Sequence, residues 1–289
     1  MTAAATSIAA SGRGHRAWSK FRRNPSALAG GVIVLLFVLA AVCAPLLASH
    51  DPFQTSFMTV RKPPSAQFWL GSDELGRDIY TRMLYGARAS LMAGMVSVLI
   101  ALAIGVPFGL AAGYFGGWTD SAISRATEAL LAIPFLILAI ALAAFLGPSL
   151  TNAMIAIGLS ATPIFIRLTR GQVMAVKNED YVQSARALGA SDVRIILAHV
   201  LPNVMPPLIV QATITIATAI IAEASLSFLG LGLQPPNPSW GSMLNTAKNF
   251  MAQAPWMSLF PGGAIFLVVL GFNLLGDGLR DALDPRQEA

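Results

Sequence analysis

Six apolar stretches, each about as long as a membrane crossing, constrain this chain more than any other feature of its sequence. They cover Ser26–Ala48, Ser90–Tyr114, Thr119–Leu146, Thr151–Leu168, Pro206–Leu231 and Leu259–Leu275. A helix of about 20 apolar residues spans the roughly 30 Å hydrocarbon core of a bilayer. Only 11% of the residues are charged, whereas soluble domains carry roughly 25%. The sequence therefore predicts an all-α, polytopic membrane protein with six transmembrane helices.

The first apolar stretch follows a long basic leader, and a cleaved signal peptide is the competing interpretation. The apolar region of a signal peptide is typically about 7–15 residues long, and the stretch Ser26–Ala48 is longer. We therefore expect a retained first helix. Six crossings place both termini on one side, and most of the 19 Lys and Arg residues fall on that side. Because basic residues are enriched in cytoplasmic loops, both termini are predicted to be cytoplasmic.

The segment Asp180–Asn203 is a long polar interruption between two apolar stretches, and its pattern predicts two short amphipathic helices. Asp180 and Gln183 have the spacing of a capping box, Gly189 is a typical helix stop, and Ser191 can cap a second helix. A membrane protein has little reason to fold such a hairpin in water unless a partner docks there. Its apolar residues are expected to supply the contact with that partner: Leu188, Val193, Ile196 and Leu197.

Few residues suggest chemistry. The sequence contains no Gly-Lys dipeptide, and so it lacks the phosphate-binding loop that ends in Gly-Lys-Ser/Thr. Its single cysteine, Cys43, excludes an internal disulfide and a cysteine metal cluster. The acidic and basic residues around Asp73 and Arg77 are predicted to form a structural ion-pair network, with Asp78 and Arg82 as a helical pair. We expect no catalytic residue, metal or cofactor in this chain, and no nucleic-acid partner.

Three polar residues within the apolar stretches are candidates for packing or for a transport pathway. Glu223 has no charged residue within one helical turn, and a packing role and a pathway role both stay open. Gln211 and Asn273 are better explained as hydrogen-bonding residues between helices than as substrate ligands.

The hairpin sequence QSARALGASDVRIILAHVLPN is similar to the EAA loop of permease subunits of ABC importers. That loop usually carries Glu-Ala-Ala, then three residues and a glycine, and Leu-Pro further on. The residues that stand in these positions here, or beside them, are Gln183, Ser184, Ala185, Arg186, Leu188, Gly189, Arg194, Leu201 and Pro202. Gln183 replaces the usual glutamate and Ser184 the usual alanine, which removes one charged contact expected with the partner.

Other stretches resemble one branch of that family, the C-type permease subunit of dipeptide, oligopeptide and nickel importers. They are NPSALAG, LGSDELGRDIYTRMLYGARASL, EASLSFLGLG, QPPNPSWG and FNLLGDGLRDALDP. The resemblance implies a type I ABC importer permease core of five helices, preceded by an extra N-terminal helix. The implied organisation is a cytoplasmic tail (1–25), a first transmembrane helix (26–49), an extracytoplasmic segment (50–86), the core (87–278) with its hairpin (180–203), and a cytoplasmic tail (279–289).

The resemblance also implies partners and a location. A related B-type permease would complete a heterodimer in a bacterial plasma (inner) membrane. Two ABC ATPase subunits would bind ATP and magnesium, and the hairpin would sit in a groove on one of them. An extracytoplasmic substrate-binding protein would deliver dipeptides or short peptides.

Other interpretations stay open at this stage. The same machinery could import oligopeptides, nickel chelates or haem. An ion-coupled secondary transporter would need unpaired carboxylates near the middle of the membrane, as Glu223 could be. An intramembrane hydrolase would need a nucleophile paired with a base, and the sequence suggests neither.

Overall fold

The computed structural model describes residues 19–283, so parts of both predicted tails, 1–25 and 279–289, lie outside the described residues. Its regular structure is helical, apart from one isolated bridge between Ser72 and Asp78. The helices are α1 Pro25–Val42, α2 Ala44–Leu47, α3 Ile79–Phe115, α4 Gly117–Leu131, α5 Phe135–Leu146, α6 Leu150–Val176, α7 Asp180–Ala187, α8 Asp192–Ile195, α9 Leu201–Phe228, α10 Trp240–Ala247 and α11 Trp256–Leu283.

The membrane-crossing helices agree with the predicted all-α architecture. Five helices are long and apolar enough to span a bilayer, and α4 with α5 makes a sixth span if the two are taken together. Asn24 caps the start of α1 and donates a hydrogen bond from Nδ2 to Asp281 near the end of α11, at 3.1 Å. The N-terminus of the first span and the C-terminus of the last span therefore lie at the same end of the bundle.

The third span is broken rather than merely kinked. The sequence predicts a continuous span over 119–146, but α4 and α5 meet at 90°. Pro134 occupies the break, where it lacks an N–H and also disfavours the helical conformation of the preceding residue. Helix α5 has 12 residues and is about 18 Å long, too short to cross the hydrocarbon core alone.

Several helices extend beyond the apolar stretches that predict them. α3 begins at Ile79, before the predicted start of the core at residue 87, and α11 continues past residue 278 to Leu283. α6 reaches Val176, well past Leu168. These extensions carry polar residues at the two ends of the bundle, where contacts between helices stabilise turns that hydropathy alone does not indicate.

The pair α3 and α6 forms the most extensive helix contact of the fold. A row of glycines on α3 allows it, since Gly105, Gly109 and Gly113 each lie where a Cβ would come within 2.7 Å of a side-chain carbon of α6. Small residues let helix backbones approach closely, which increases van der Waals contact between them. The main core forms around this pair, with α5 and α9 packed against it.

The end of the bundle opposite the hairpin is closed by the segment between α9 and α11. Trp240, at the start of α10, is fully buried, and its indole N–H donates to the carbonyl of Met83 at 3.2 Å. Its ring also packs edge-on against Phe37 of α1, with centroids 5.6 Å apart. This tryptophan joins the N-terminal helix to the rest of the bundle.

The acidic and basic residues around Asp73 and Arg77 lie at that same end and form ion pairs, as the sequence predicts. The Asp73 carboxylate accepts from Arg77 Nε at 2.6 Å, and Arg77 also pairs with Glu74 at 2.6 Å. Burial raises the pKa of the Glu74 carboxyl, and the neighbouring Asp73 charge adds to that effect. Buried charges are normally paired in this way.

The predicted pairing of Asp78 with Arg82 is wrong. Asp78 instead caps α3, accepting from the backbone N–H and the hydroxyl of Thr81 at 3.1 and 2.7 Å. The guanidinium of Arg82 turns to the carbonyl of Pro52 at 3.0 Å and to Asp73 at 3.4 Å. An acidic residue at a helix N-terminus accepts hydrogen bonds from N–H groups that lack a partner in the helix. Asp78 makes this capping contact instead of an ion pair with Arg82.

Candidate coupling site

The hairpin forms as a helix–turn–helix at one end of the bundle, between α6 and α9. Gly189 ends α7 with φ +82°, a left-handed conformation that glycine adopts without strain. Its N–H donates to Arg186 O at 3.0 Å, and the N–H of Ala190 donates to Ala185 O at 3.1 Å. These two bonds form a Schellman motif, so the predicted role of Gly189 as the stop is confirmed.

The predicted side-chain caps are wrong. Glu179, rather than Asp180, is the N-cap of α7, and it makes no side-chain capping bond. Gln183 Nε2 instead donates to the carbonyl of Lys177 at 3.0 Å. Ser191 does occupy the N-cap position of α8, but without a side-chain hydrogen bond. The Lys177 carbonyl, at the C-terminus of α6, lies close to α7. The Gln183 side chain therefore donates to this carbonyl instead of bonding to the N-cap backbone, as it would in a capping box.

One face of the hairpin is part of the protein's own core. Val182, Ile195 and Val200 are at most 1% exposed and belong to the main hydrophobic cluster. Ile196 is partly buried and packs against the same cluster. It therefore lies on the inward face, which corrects its predicted place in the docking contact.

The other face of the hairpin exposes large apolar side chains. Leu188 is 89% exposed, Val193 66% and Leu197 58%. Gln183, Ser184, Arg186 and Arg194 are also exposed, while Ala185 is half-buried. Exposed apolar groups rimmed by polar ones are typical of a protein interaction site.

The second half of the hairpin is continuous with the fifth span, which differs from the predicted start of that span at Pro206. α8, a π-helical turn over Ile196–Val200, and α9 together form one 37-residue helical segment, Asp192–Phe228. Leu201 and Pro202 are the first two residues of α9 and directly follow the π-helical turn. Movement of the hairpin can therefore pass directly into a membrane-spanning helix.

Sequence reasoning missed the residues that tie the hairpin to α3. Tyr114, in the last turn of α3, donates its hydroxyl hydrogen to Asp192 Oδ1 at 2.6 Å and accepts from Arg186 Nη2 at 3.1 Å. Lys177 Nζ donates to the carbonyl of Gly113 at 2.7 Å. Tyr114 ends an apolar stretch and looks like an interfacial aromatic in the sequence, so only the three-dimensional contact identifies it.

The three polar candidates within the spans lie in different environments. Glu223 is fully buried, and its carboxyl oxygens accept from Ser90 at 2.9 Å and Ser227 at 2.7 Å. Gln211 is half-buried and donates to Thr215 on its own helix at 3.1 Å. Asn273 is exposed on α11. No hydrogen bond links any two of these three residues within residues 19–283.

An open cavity of about 390 Å³ lies beside the hairpin end of α6, and sequence reasoning did not identify it. It is lined by Leu131, Ile164, Arg167, Leu168, Gly171 and Gln172. Arg167 is exposed and has no hydrogen bond or ion pair within residues 19–283. An ionisable residue within a membrane span is costly and is commonly found on a polar pathway.

The sequence matches two described families. The family described as "Binding-protein-dependent transport system inner membrane component" matches residues 105–289, and the "N-terminal TM domain of oligopeptide transport permease C" matches residues 12–64. The second match covers α1, the helix that precedes the core.

Curated relatives cover nearly the whole chain. A dipeptide transport system permease protein from Alkalihalophilus pseudofirmus is 49% identical over 94% of this chain and 90% of its own. A glutathione transport system permease protein from Escherichia coli O6:K15:H31 is 47% identical over the same shares. Among solved structures, the inward-facing methionine ABC transporter MetNI is similar with a TM-score of 0.57. It is 22% identical, and the match covers 69% of this chain and 94% of the MetNI chain.

Proposed function

The chain belongs to the binding-protein-dependent transport inner membrane component family, as a permease subunit of an ABC importer, and from this premise we propose what it carries and how it is driven. The substrates are dipeptides or other short peptides. Two relatives of nearly equal identity, described as dipeptide and glutathione permeases, support this class. Both names denote small peptides with free carboxylates. Oligopeptides, nickel chelates and haem are the competing cargoes.

The proposed assembly has this chain and a B-type permease as a heterodimer in the bacterial inner membrane. Two ATPase subunits bind ATP and magnesium on the cytoplasmic side, and a substrate-binding protein docks on the other. The chain itself holds no nucleotide, because its sequence has no phosphate-binding loop. The end of the bundle that carries the hairpin faces the cytoplasm. Asn24 and Asp281, which meet at that same end, therefore also lie on the cytoplasmic side.

The exposed apolar face of the hairpin is the observation that carries the coupling mechanism. Leu188, Val193 and Leu197 lie outward, while the opposite face is anchored in the core. Such a unit can enter a groove on an ATPase subunit and move as a rigid body when the ATPases close. Because α8 continues into α9, that movement reaches the translocation pathway without any chemistry in this chain.

Leu188→Asp tests the docking surface. A buried apolar anchor at the centre of an interface contributes about 2 kcal/mol or more, so the variant should bind the ATPase subunits about 30-fold more weakly. The fold should survive, because Leu188 is 89% exposed. Affinity is measured by titrating the ATPases onto the permease heterodimer in nanodiscs, and ATP-driven uptake of a labelled dipeptide is measured in proteoliposomes.

Met58→Asp is the matched control, since it adds the same charge at an 85% exposed apolar position near the end of the bundle opposite the hairpin. It should leave ATPase affinity unchanged. Wild-type affinity and uptake in the Leu188→Asp complex would contradict the docking role. Uptake that persists without ATP but stops when the proton gradient collapses would indicate a secondary transporter instead.

A further inference from the structure

Tyr114 has an unusual position between the two helices of the hairpin. Its hydroxyl donates to Asp192, in α8, at 2.6 Å and accepts from Arg186, in α7, at 3.1 Å. The Arg186 guanidinium also lies over the Tyr114 ring, with 5.5 Å between its central carbon and the ring centroid. One phenol group therefore joins both helices of the hairpin to the end of α3.

The two hydrogen bonds of the Tyr114 hydroxyl are stronger than bonds between neutral groups. Both involve a charged partner, and charge-assisted hydrogen bonds are roughly twice as strong as neutral ones. Tyr114 as a residue is 7% exposed, so it is held by packing while its hydroxyl bonds to residues of the hairpin. A second contact, from Lys177 Nζ to the carbonyl of Gly113 at 2.7 Å, holds the base of the hairpin against the preceding residue of α3.

Helix α3 is suited to carry a displacement away from the hairpin. It has 37 residues and is about 55 Å long. Its glycines lie against α6, so the two helices are closely packed along that contact. At the far end, Arg82 of α3 donates to the carbonyls of Pro52 and Pro236 at 3.0 and 3.3 Å. One helix thus connects the hairpin with both loop regions at the opposite end.

We propose that Tyr114 is a positioning residue that transmits hairpin movement into α3, and through α3 to the loops held by Arg82. This inference rests on the proposed function of the hairpin. The continuous segment α8–α9 is then one of two mechanical routes, and the Tyr114 hydroxyl is the connection to the second. The hydrogen bonds of the tether join the hairpin to α3 and do not involve the apolar side chains of Leu188, Val193 and Leu197. Loss of the tether should therefore leave that apolar docking surface in place.

Tyr114→Phe tests the tether because it removes one oxygen and preserves the ring packing. In the complete reconstituted importer, ATPase binding and ATP hydrolysis should stay within about twofold of wild type. Transported peptide per ATP hydrolysed should fall about fivefold or more, which is the lower end of typical coupling between distant sites.

Two controls separate coupling from a general loss of structure. Tyr85→Phe removes a hydroxyl from the same helix, and the Tyr85 hydroxyl makes no hydrogen bond to any residue of the described chain. It should leave the transport ratio unchanged. Asp192→Asn keeps an oxygen that can accept from Tyr114 and should retain most of the coupling, whereas Asp192→Ala should match Tyr114→Phe.

A second readout does not depend on the identity of the cargo. Hydrogen exchange is followed over residues 79–90 in the intact complex, with and without a non-hydrolysable ATP analogue. The analogue should change exchange there in wild type, and Tyr114→Phe should abolish the change. This measurement tests the tether even if peptide uptake fails and the proposed substrate has to be abandoned.

An unchanged transport ratio together with an unchanged exchange response in Tyr114→Phe would overturn the inference. Loss of ATPase binding in that variant would also overturn it, because Tyr114 would then shape the docking surface instead of transmitting its movement.

Discussion

At the residue scale, Glu223 shows how a carboxyl group can be accommodated among apolar helices. It is fully buried, and hydroxyl groups of Ser90 on α3 and Ser227 on α9 donate to its two oxygens at 2.9 and 2.7 Å. A buried polar group without such partners would cost several kcal/mol. The contact joins two helices across 133 positions of sequence, and so it supports packing as its role.

Substitution of Glu223 distinguishes packing from a pathway role. Glu223→Gln keeps the size and most hydrogen-bonding capacity, and we expect melting temperature and uptake close to wild type. Glu223→Ala leaves a cavity and two hydroxyls without their acceptor, and it should lower stability by about 2–4 kcal/mol. Thermal unfolding of the purified complex and dipeptide uptake are measured together. If Glu223→Gln abolishes uptake while the melting temperature stays unchanged, the Glu223 carboxyl group belongs to the transport pathway.

Gln183 shows the limit of reading a motif by position. It stands where the related loops usually carry glutamate, and its amide donates to Lys177 O at 3.0 Å inside the hairpin. The side chain therefore stabilises the turn between α6 and α7. Leu188 and Val193, which are 89% and 66% exposed, provide apolar contact surface on the same hairpin.

At the element scale, the contact between α3 and α6 depends on the absence of side chains. A Cβ built on Gly109 would lie 2.5 Å from Thr169 Cβ, and one on Gly158 of α6 would lie 2.8 Å from Ile100 Cβ. Both helices thus contribute a glycine to the close approach. Because dispersion attraction weakens steeply with separation, a small displacement of the pair affects many contacts at once.

Gly109→Ala should destabilise the subunit by about 2 kcal/mol, since the added methyl group overpacks a contact that cannot easily open. Gly171→Ala on α6 is the control, because no atom of residues 19–283 beyond its chain neighbours and its own helix backbone lies within 4 Å of a Cβ at that position, and alanine favours a helix. The yield of folded protein and its melting temperature are compared in the same detergent. Equal stability of the two variants would mean that close packing of α3 on α6 is not required.

The turn of the hairpin and the bend between α4 and α5 are stabilised by different kinds of contact. The hairpin turn depends on one left-handed residue, Gly189, and on local backbone bonds. The 90° bend between α4 and α5 follows Pro134, but the path of α4 is also held by Asp120, whose carboxylate accepts from Arg170 Nη2 at 2.7 Å. The first feature is local in sequence, whereas the second needs a partner on another helix.

At the scale of the whole molecule, the two ends of the bundle have different tasks. The hairpin end presents a helix–turn–helix with exposed apolar side chains. The opposite end is closed by Trp240 and by the network around Asp73, and it also exposes Phe57 and Met58. Helices α3, α9 and α11 connect the two ends. In the proposed assembly, the hairpin end contacts the ATPase subunits and the opposite end contacts the substrate-binding protein.

Cysteine labelling tests the proposed orientation. In a Cys43→Ser background, Leu188→Cys and Met58→Cys place single thiols at exposed positions, 89% and 85% respectively, near opposite ends of the bundle. In intact right-side-out cells, a membrane-impermeant maleimide should label position 58 and not position 188. Permeabilised cells that lack the ATPase subunits should show labelling at both positions, because position 188 is then not covered by a docked ATPase. The reverse pattern in intact cells would place the hairpin outside and contradict the coupling mechanism.

The sequence by itself determined the class of fold, five of the six predicted crossings and the turn of the hairpin. These follow from hydropathy summed over a window and from one glycine, which are properties of neighbouring residues. The tertiary structure alone decided which residues meet. It pairs Tyr114 with Asp192 across 78 positions, turns Arg82 to Pro52 instead of Asp78, and separates the inward Ile196 from the outward Leu197. Such pairings depend on how whole helices pack, and several packings satisfy the same pattern of apolar residues.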